Sequence, residues 1–319
     1  MTQPPVTIIV GMRNSATTIV ECLKGLFLQD YPIAEILLFD NASTDNSVQM
    51  AKAFIPTSSI PLRIIEQKEN GGLSLSYNTG AELSKTDIIV FIHSDSVLPT
   101  SSELRKLVHP LIEYPNAIAS SPMISIPESV WNKFPFWQKF MFAPVAARPP
   151  YSCMCGKFDC FRRSIYLNVG GFGGKHFTPT CGYDGEDSDL INRLRNLGTI
   201  VKTTAHVIHL HVLTPDFHLS SVLRTRKFMA RTYGKIIQFQ GLSPIHEKIG
   251  LFAKPFLSIV PFPPLWLIFS LVYSKQMYFH KSTLFNPRIL LVPILDIFLI
   301  YYETFWFIEG WIAPPVDAK

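Results

Sequence analysis

Charge is scarce in this sequence: Asp, Glu, Lys and Arg make up only 17% of its 319 residues, against 47% apolar residues. That balance excludes a disordered chain or an acidic tail, because such segments cannot bury enough apolar surface to fold. Nor is there much imbalance of sign. Twenty-nine Lys and Arg against 24 Asp and Glu leave a formal net charge of +5, too little by itself to mark a nucleic-acid binder. Cysteine is also sparse. The five present (Cys22, Cys153, Cys155, Cys160 and Cys181) are an odd number with no CxxC spacing, which disfavours a disulfide scaffold and suits a reducing compartment. Internal repeats and low-complexity tracts are missing. The first 15 residues lack a charged stretch followed by a long apolar core. Their apolar run, Val6–Val10, has the length of a buried strand, so the chain is expected to enter its fold at once, on the cytoplasmic side.

What is present is alternation. Thr7–Val10, Glu35–Phe39, Arg63–Glu66 and Asp87–Ile92 read as strands; Ala16–Leu28, Thr44–Phe54 and Leu73–Leu83 read as helices between them. Strands separated by helices imply crossover connections, hence an α/β fold with a mostly parallel, Rossmann-like sheet. In such sheets ligands collect beyond the carboxyl ends of the strands. Gly11–Asn14, Asp40–Asp45 and His93–Ser96 occupy those ends.

The mean hydropathy is positive, +0.21, and the excess lies late in the chain. A basic stretch carrying Arg224, Arg226, Lys227, Arg231 and Lys235 precedes two apolar segments, 255–273 and 289–311. Both reach the ~20 residues that a spanning helix needs. Trp266, Tyr273, Tyr301, Tyr302, Trp306 and Trp311 have the character of interfacial aromatics. Four prolines (Pro255, Pro261, Pro263 and Pro264) would kink the first segment. Buried core helices are the plain alternative. The expected organisation is a cytoplasmic catalytic domain over residues 1–222, a basic interfacial helix over 223–250, and a membrane region over 251–319, multi-pass or hairpin-anchored. The aromatic stretch Ser129–Phe142 is either a second interfacial helix or ordinary core packing.

Several polar residues carry chemistry. Asp40 ends a buried strand, where a carboxylate can accept hydrogen bonds from a ribose or base N–H, or simply close an Asx-turn. Asp95 follows the most apolar strand and suits a divalent cation bridging a diphosphate. Asp184, Glu186, Asp187 and Asp189 crowd YDGEDSD; four carboxylates so close repel one another unless solvated, metal-bound or used. His209 and His211 alternate on a strand and so point to one face, where both imidazoles can reach one metal. A glycine-rich, basic-ended nucleotide loop near residue 10 is missing, which speaks against nucleotidyl transfer.

In order, IIVGMRNSATTI, LLFDNASTDNS, NGGLSLSYNTG, IHSDSVLP, RRSIYLNVGGF, GEDSDLINRLRNLG and the late HLH closely resemble family-2 glycosyltransferases of the GT-A fold. The resemblance covers roughly residues 5–240. The apolar C-terminal segments are similar to a reduced cellulose-synthase-like membrane arrangement. The resemblance implies that Asp40, with Asn14, Asn70, Asn78 and Ser94, binds the nucleotide of a UDP- or GDP-sugar donor. Asp95 would be the second carboxylate of the family's DxD element and, with His209 and His211, would hold Mg2+ or Mn2+. His93 stands where that element has its first Asp. Asp187 matches the catalytic Asp of the family's ED pair, while Glu186, Gly171, Phe172 and Arg231 would line the acceptor and diphosphate side. Arg162 and Arg163 match the basic pair before GGF. The QxxRW motif of processive synthases is broken, Phe228 and Thr232 replacing its Gln and Trp around Arg231, which favours transfer of one sugar. The implied activity is inverting, metal-assisted transfer to a hydroxyl of a lipid-linked glycan, with Asp187 as general base. A polyprenyl-phosphate sugar synthase and a non-catalytic sugar-nucleotide scaffold are the alternatives.

Overall fold

The computed structural model describes residues 3–55, 59–146, 151–152, 154–173, 186–210, 216–240 and 263–313. The chain opens with β1 (Val6–Met12), α1 (Ile19–Phe27), β2 (Ile33–Asp40), α2 (Ser47–Lys52), β3 (Leu62–Glu66), α3 (Gly72–Leu83) and β4 (Ile88–His93). These strands lie in the order β3-β2-β1-β4, all parallel. β1 is buried along its whole length, as expected for a strand covered on both faces. In α1, Ile19, Cys22, Leu23 and Leu26 recur at helical spacing and form the buried face.

Beyond β4 the uniformly parallel pattern ends, although β6 and β9 still pair in parallel. β5 (Ser96–Val97), α4 (Glu103–Glu113), β6 (Ala117–Ser125), α5 (Glu128–Lys133), α6 (Phe136–Ala146), β7 (Tyr151–Ser152), β8 (Phe158–Arg162), α7 (Arg163–Asn168), α8 (Glu186–Arg195) and β9 (Thr199–His209) follow. The sheet continues β4-β8-β6-β9-β5, with β7 on β6. β8 enters antiparallel between β4 and β6, and β5–β9 and β6–β7 are antiparallel too. The sheet is therefore mixed, which corrects the mostly parallel expectation. The alternation that implied crossovers runs only to β4. In FDCFR the first four residues are buried without a gap, so no periodicity in it reveals direction.

Alternate residues of the central strands feed two cores. Ile8, Val10, Ile36, Leu38, Val90 and Ile92 pack with α1 on one face. Ile9, Leu37, Phe39, Ile89 and Phe91 pack with Tyr77, Tyr166, Phe172, Leu190 and Leu194 on the other.

The C-terminal part consists of α9 (Leu219–Gln240), α10 (Pro263–Tyr273), α11 (Lys275–Phe279), α12 (Lys281–Leu284), a 3-10 turn over Pro287–Leu291, and α13 (Val292–Ile312). α9 runs unbroken through residue 222. A third core joins this part to the sheet domain: Trp131, Phe134, Phe136 and Phe140 pack with Val222, Met277, Val292 and Leu299. The aromatics of Ser129–Phe142 thus serve core packing, not an interfacial face. α9 and α13 run in the same direction, with Arg226 on Glu303 and Arg231 on Glu309. They approach closely at Gly234 and Gly310, where a Cβ would collide with the facing backbone. Among the described residues, only the stretch Pro287–Ile312 is long and apolar enough to cross a membrane. The earlier apolar segment contributes an 11-residue helix, α10, and its residues 255–262 lie outside the described ones. One of the two expected spanning segments thus has a candidate helix among the described residues.

Glu103, 1% exposed, ties α4 to β9. Its carboxylate accepts from the His206 N–H at 2.7 Å and from Lys106 Nζ at 2.9 Å, with Thr100 Oγ1 as a third donor. Burial alone would raise its pKa, but these hydrogen bonds outweigh it and hold the group below the ordinary value of 4.5. Charge-assisted bonds of this kind contribute about 1.5–3 kcal/mol. Glu103→Ala should lower the denaturant-unfolding free energy by about 2–3 kcal/mol at neutral pH. Because the folded-state pKa is depressed, that stabilisation is present above pH 4.5 and disappears as pH falls through the lower folded value. A deficit that persists unchanged at acid pH would contradict the assignment.

Candidate active site

The carboxyl ends of β2, β1 and β4 lie side by side, because Met12 pairs with Asp40 and Gly11 with His93. Two backbone bonds fix the loops beyond them: Asn41 N–H to Met12 O at 2.8 Å and Ser94 N–H to Gly11 O at 3.1 Å. Asp40 is 3% exposed. Its Oδ2 accepts the Ser43 N–H at 3.1 Å, while its Oδ1 is buried without a hydrogen-bond partner among the described residues. Gln67, just past β3, donates its N–H to Asp40 O at 2.9 Å, and its Oε1 is in the same condition; nothing in its motif context singled it out.

Asn14 holds this edge together. Its backbone N–H donates to Ser43 Oγ at 2.9 Å and its Oδ1 accepts the Thr44 N–H at 2.8 Å. Ser94 Oγ lies 2.7 Å from Ser15 Oγ. Asn14 and Ser94 thus lie at the same edge of the sheet as Asp40 and Asp95. Asn70 Oδ1 accepts the Gly72 N–H at 3.2 Å at the start of α3, a local turn bond.

Asn78 is occupied elsewhere. Its Nδ2 donates to Phe172 O, and its Oδ1 accepts from the Phe172 N–H and the Tyr166 hydroxyl. The expectation of a donor-binding Asn78 is corrected to a clamp between α3 and the turn after α7. Phe172 is buried in the core and Gly171, at φ +63°, sits against Asn78, so both belong to this clamp instead of an acceptor wall. Arg231 likewise forms a bidentate pair with Glu309, at 2.6 and 2.9 Å. Two other cations of α9 also turn inward, Arg226 to Tyr273 and Glu303, and Lys227 over the Trp306 ring, whereas Arg224 is exposed. A cation buried beside an apolar helix is stable only when paired, and α13 supplies the partners.

The second cluster is built by strand pairing across 114 residues. β5 pairs with the end of β9, Ser96 opposite His209, and the Leu210 N–H donates to Asp95 O at 2.8 Å. His209 Nε2 therefore lies 3.1 Å from Asp95 Oδ2, and His93 Nδ1 lies 3.8 Å from Asp95 Oδ1. One ligand atom from each of His93, Asp95 and His209 falls within 4.8 Å of the others. Two nitrogens and a carboxylate oxygen at such separations fit a divalent metal. His211 lies outside the described residues; among the described ones the group is completed by His93. Its place in the DxD position had marked it as a departure, and only the folded strand ends reveal it as a donor.

Burial pushes the His93 pKa down to about 3, and the nearby Lys157 ammonium acts in the same direction. Burial also lowers His209, against the pull of Asp95. Both imidazoles are neutral at physiological pH, the form that binds metal. Gly156 makes room for this arrangement. It adopts φ +76°, and a Cβ there would meet the Tyr77 ring and His93 Nε2. Tyr77 donates to Gly156 O at 2.9 Å, and buried Asp159 accepts the Cys155 and Gly156 N–H groups.

Asp187 is in the first turn of α8, its Oδ1 accepting the Ser188 N–H at 2.6 Å. No hydrogen bond among the described residues joins it to the His93–Asp95–His209 cluster. Glu186 begins α8, and Asp184 lies outside the described residues. Asp189 pairs with Arg193, which also donates to Val169 O and Gly171 O, so this member of the acidic group is structural.

Comparison with known proteins agrees with this architecture. Over 93 residues the chain is 30% identical to glycosyltransferase GlyG of Streptococcus pneumoniae, covering 29% of this chain and 31% of GlyG. The match thus spans about a third of that relative's length. The mannosyltransferase PcManGT of Pyrobaculum calidifontis, solved with GDP-Man and Mn2+, superposes with a TM-score of 0.58 at 15% identity, covering 98% of this chain and 88% of that one. GalNAc-T7, solved with UDP, GalNAc and Mn2+, gives 0.54 at 14% identity over 77% of this chain and 53% of its own. At such identities the likeness concerns the fold. The Glycosyl transferase family 2 model matches residues 7–170, half of the chain. A mixed GT-A sheet that gathers Asp40 and a His-Asp-His cluster at its strand ends, in a chain matched by that family model, makes this protein a glycosyltransferase of family 2.

Proposed function

We propose that the protein transfers a single sugar, with inversion, from a UDP- or GDP-sugar to a hydroxyl of a lipid-linked acceptor at a membrane surface. The observation that carries this is the adjacency of Asp40 and the His93–Asp95–His209 cluster at neighbouring strand ends. A nucleoside needs a hydrogen-bond acceptor, and the diphosphate joined to it needs positive charge a short way along the same edge.

Asp40 Oδ1, buried and without a partner among the described residues, is the acceptor for a base N–H or ribose hydroxyl, since such an oxygen regains a hydrogen bond only when a donor arrives. His93, Asp95 and His209 would hold a divalent ion, whose charge offsets that of the departing diphosphate. Asp187 takes the proton of the acceptor hydroxyl, a poor nucleophile until it is deprotonated. Attack opposite the leaving group then converts an α-linked donor into a β-linked product.

Membrane attachment draws support from α13. Its acidic residues turn inward, Asp296 to Ser270 and Ser274, Glu303 to Arg226 and Glu309 to Arg231. Ile294, Phe298, Tyr301, Phe305, Ile308 and Ile312 remain exposed, an uncharged stripe at 4-3-4-3-4 spacing. The sheet domain would lie on the cytoplasmic side.

General-base assistance contributes typically 10²–10⁴-fold. Asp187→Asn should therefore bind the nucleotide-sugar normally in calorimetry yet lose transfer by about that factor; turnover near wild type would exclude Asp187 as base. Lipid phosphate offered in the same assay decides whether the acceptor is a phosphate or a hydroxyl. For the membrane, each Phe buried in lipid is worth about 1.5–3 kcal/mol, roughly 10–100-fold in partition. Combining Phe298→Glu and Phe305→Glu should release the protein from liposomes in a flotation experiment. Retention of the double variant on the vesicles would refute the lipid-facing stripe.

A further inference from the structure

We propose that the segment from α11 to α13 seats the protein on one leaflet of an anionic bilayer, with α13 lying in the plane of the surface and Lys275, Lys281 and Arg288 on acidic headgroups. The inference deepens the membrane attachment proposed above, on which it rests, by naming the lipid charge and the way the helix lies.

Charge in this part of the chain is sorted by sign. Between Pro263 and Ala313 there are three acids and three Lys or Arg residues. The acids are engaged inward: Asp296 by Ser270 and Ser274, Glu303 by Arg226, and Glu309 by Arg231. The cations Lys275, Lys281 and Arg288 are all exposed. Each shares a face of its element with an exposed apolar side chain. Lys275 stands with Phe279 at i,i+4 in α11, and Lys281 with Leu284 at i,i+3 in α12. Arg288 stands with Leu291 at i,i+3 in the 3-10 turn, where such residues eclipse. Among them Phe285 is 87% and Leu290 76% exposed. In a headgroup layer this arrangement satisfies both partners: the apolar group enters the acyl boundary while the cation reaches phosphate. Because the acids are already engaged, they oppose little of the attraction to a negative surface.

The buried residues set the direction of this face. Met277 of α11 and Val292 and Leu299 of α13 enter the core that holds Trp131 and Val222. Lys275 and Phe279 are each two positions from Met277, on the opposite side of α11. The same core keeps α13 from crossing the bilayer. Protein covers one side of the helix at Val292 and Leu299 and again at Gly310, which faces Arg231 of α9, a length of about 27 Å. Crossing would carry the Trp131 helix, α5, along with it, and Glu128 and Lys133 of α5 are exposed charges that hydrocarbon disfavours. Lying flat, α13 gives only its outward stripe to lipid.

The test floats the full-length protein, transferred from detergent, on vesicles of phosphatidylcholine alone or mixed with phosphatidylglycerol. Wild type should bind both and prefer the anionic vesicles by about 100-fold, from three cations worth about fivefold each. Added salt should shrink that margin. Combining Lys275→Gln, Lys281→Gln and Arg288→Gln should abolish the preference while leaving binding to neutral vesicles as in wild type. The single variants, about fivefold each, serve if the triple variant does not fold by circular dichroism. Depth is read from a fluorescent amino acid incorporated at position 301, near the middle of α13, with nitroxide-labelled lipids as quenchers. A shallow nitroxide should quench it more than one at the bilayer centre. Stronger quenching from the centre would overturn the in-plane helix. Equal affinity for both vesicles, or an unchanged preference in the folded Gln variants, would overturn the choice of lipid. Either result with flotation retained leaves the membrane attachment proposed above standing. Failure of wild type to float on any vesicle, including its sedimentation as a dimer joined through this face, would end both.

Discussion

The catalytic edge depends on one short antiparallel pairing. β5 contributes only two residues, Ser96 and Val97, to the ladder with β9, yet this register delivers His209 to Asp95. The pairing is reinforced where failure would matter. The Leu210 N–H binds Asp95 O, and Glu103 anchors β9 three residues before His209 through the His206 N–H. A two-residue ladder cannot persist alone. It persists because β9 is already held along β6 from Thr199 to Ile208, so the final residues have little freedom left to lose.

Much of this was legible in the amino-acid order, and the reasons are specific. The first four strands and three intervening helices were recognisable because each is a buried apolar run or an amphipathic stretch, and consecutive parallel strands require such crossovers. Asp40 and Asp95 were legible because they follow directly on those runs. The direction of β8 was not, since a strand buried on both faces has the same apolar pattern whether it runs up or down. His93 was legible as a residue but not as a ligand. In the linear order it replaces an acid in a metal-binding element and so reads as a loss; only the β4–β1 register and the arrival of β9 turn it into a nitrogen donor. Asn78 misled for the opposite reason. Its motif implied contact with a nucleotide, whereas both ends of its amide are used by Phe172 and Tyr166.

The C-terminal helices show how composition and orientation differ as sources of information. The cations of α9 read in sequence as a surface for anions, and the acids of α13 as blemishes in an apolar segment. Folding pairs two of each, Arg226 with Glu303 and Arg231 with Glu309, and the same operation clears the outward face of α13. A buried pair of this kind adds little net stability compared with apolar packing, but breaking one half of it is costly. Its effect here is to fix which way α13 faces. Rotating the helix would bury the stripe of Ile294, Phe298 and Phe305 and expose three carboxylates, one of which, on Asp296, is already bonded to two serines of the α10 region. Gly234 and Gly310 allow the close approach that this pairing demands.

A last regularity concerns the energetics of the binding edge. Two non-glycine residues in the described structure have a positive φ, Asn14 at 48° and Ala42 at 55°. They stand just beyond β1 and β2, on either side of the Asp40 carboxylate. For alanine that conformation is disfavoured by about 1–2 kcal/mol, and it persists because Ser43 and Thr44, the next two residues, donate their N–H groups to Asp40 and Asn14. The chain therefore accepts a strained turn and, in Asp40 Oδ1, a buried oxygen without a hydrogen bond at one location. Both would be removed by selection for stability alone. Their coincidence at the mouth of a sheet, next to His93, Asp95 and His209, is what the proposed donor site requires, the donor supplying the missing hydrogen bond. The strain then keeps the carboxylate aimed at that donor before it arrives, so less order remains to be imposed on binding.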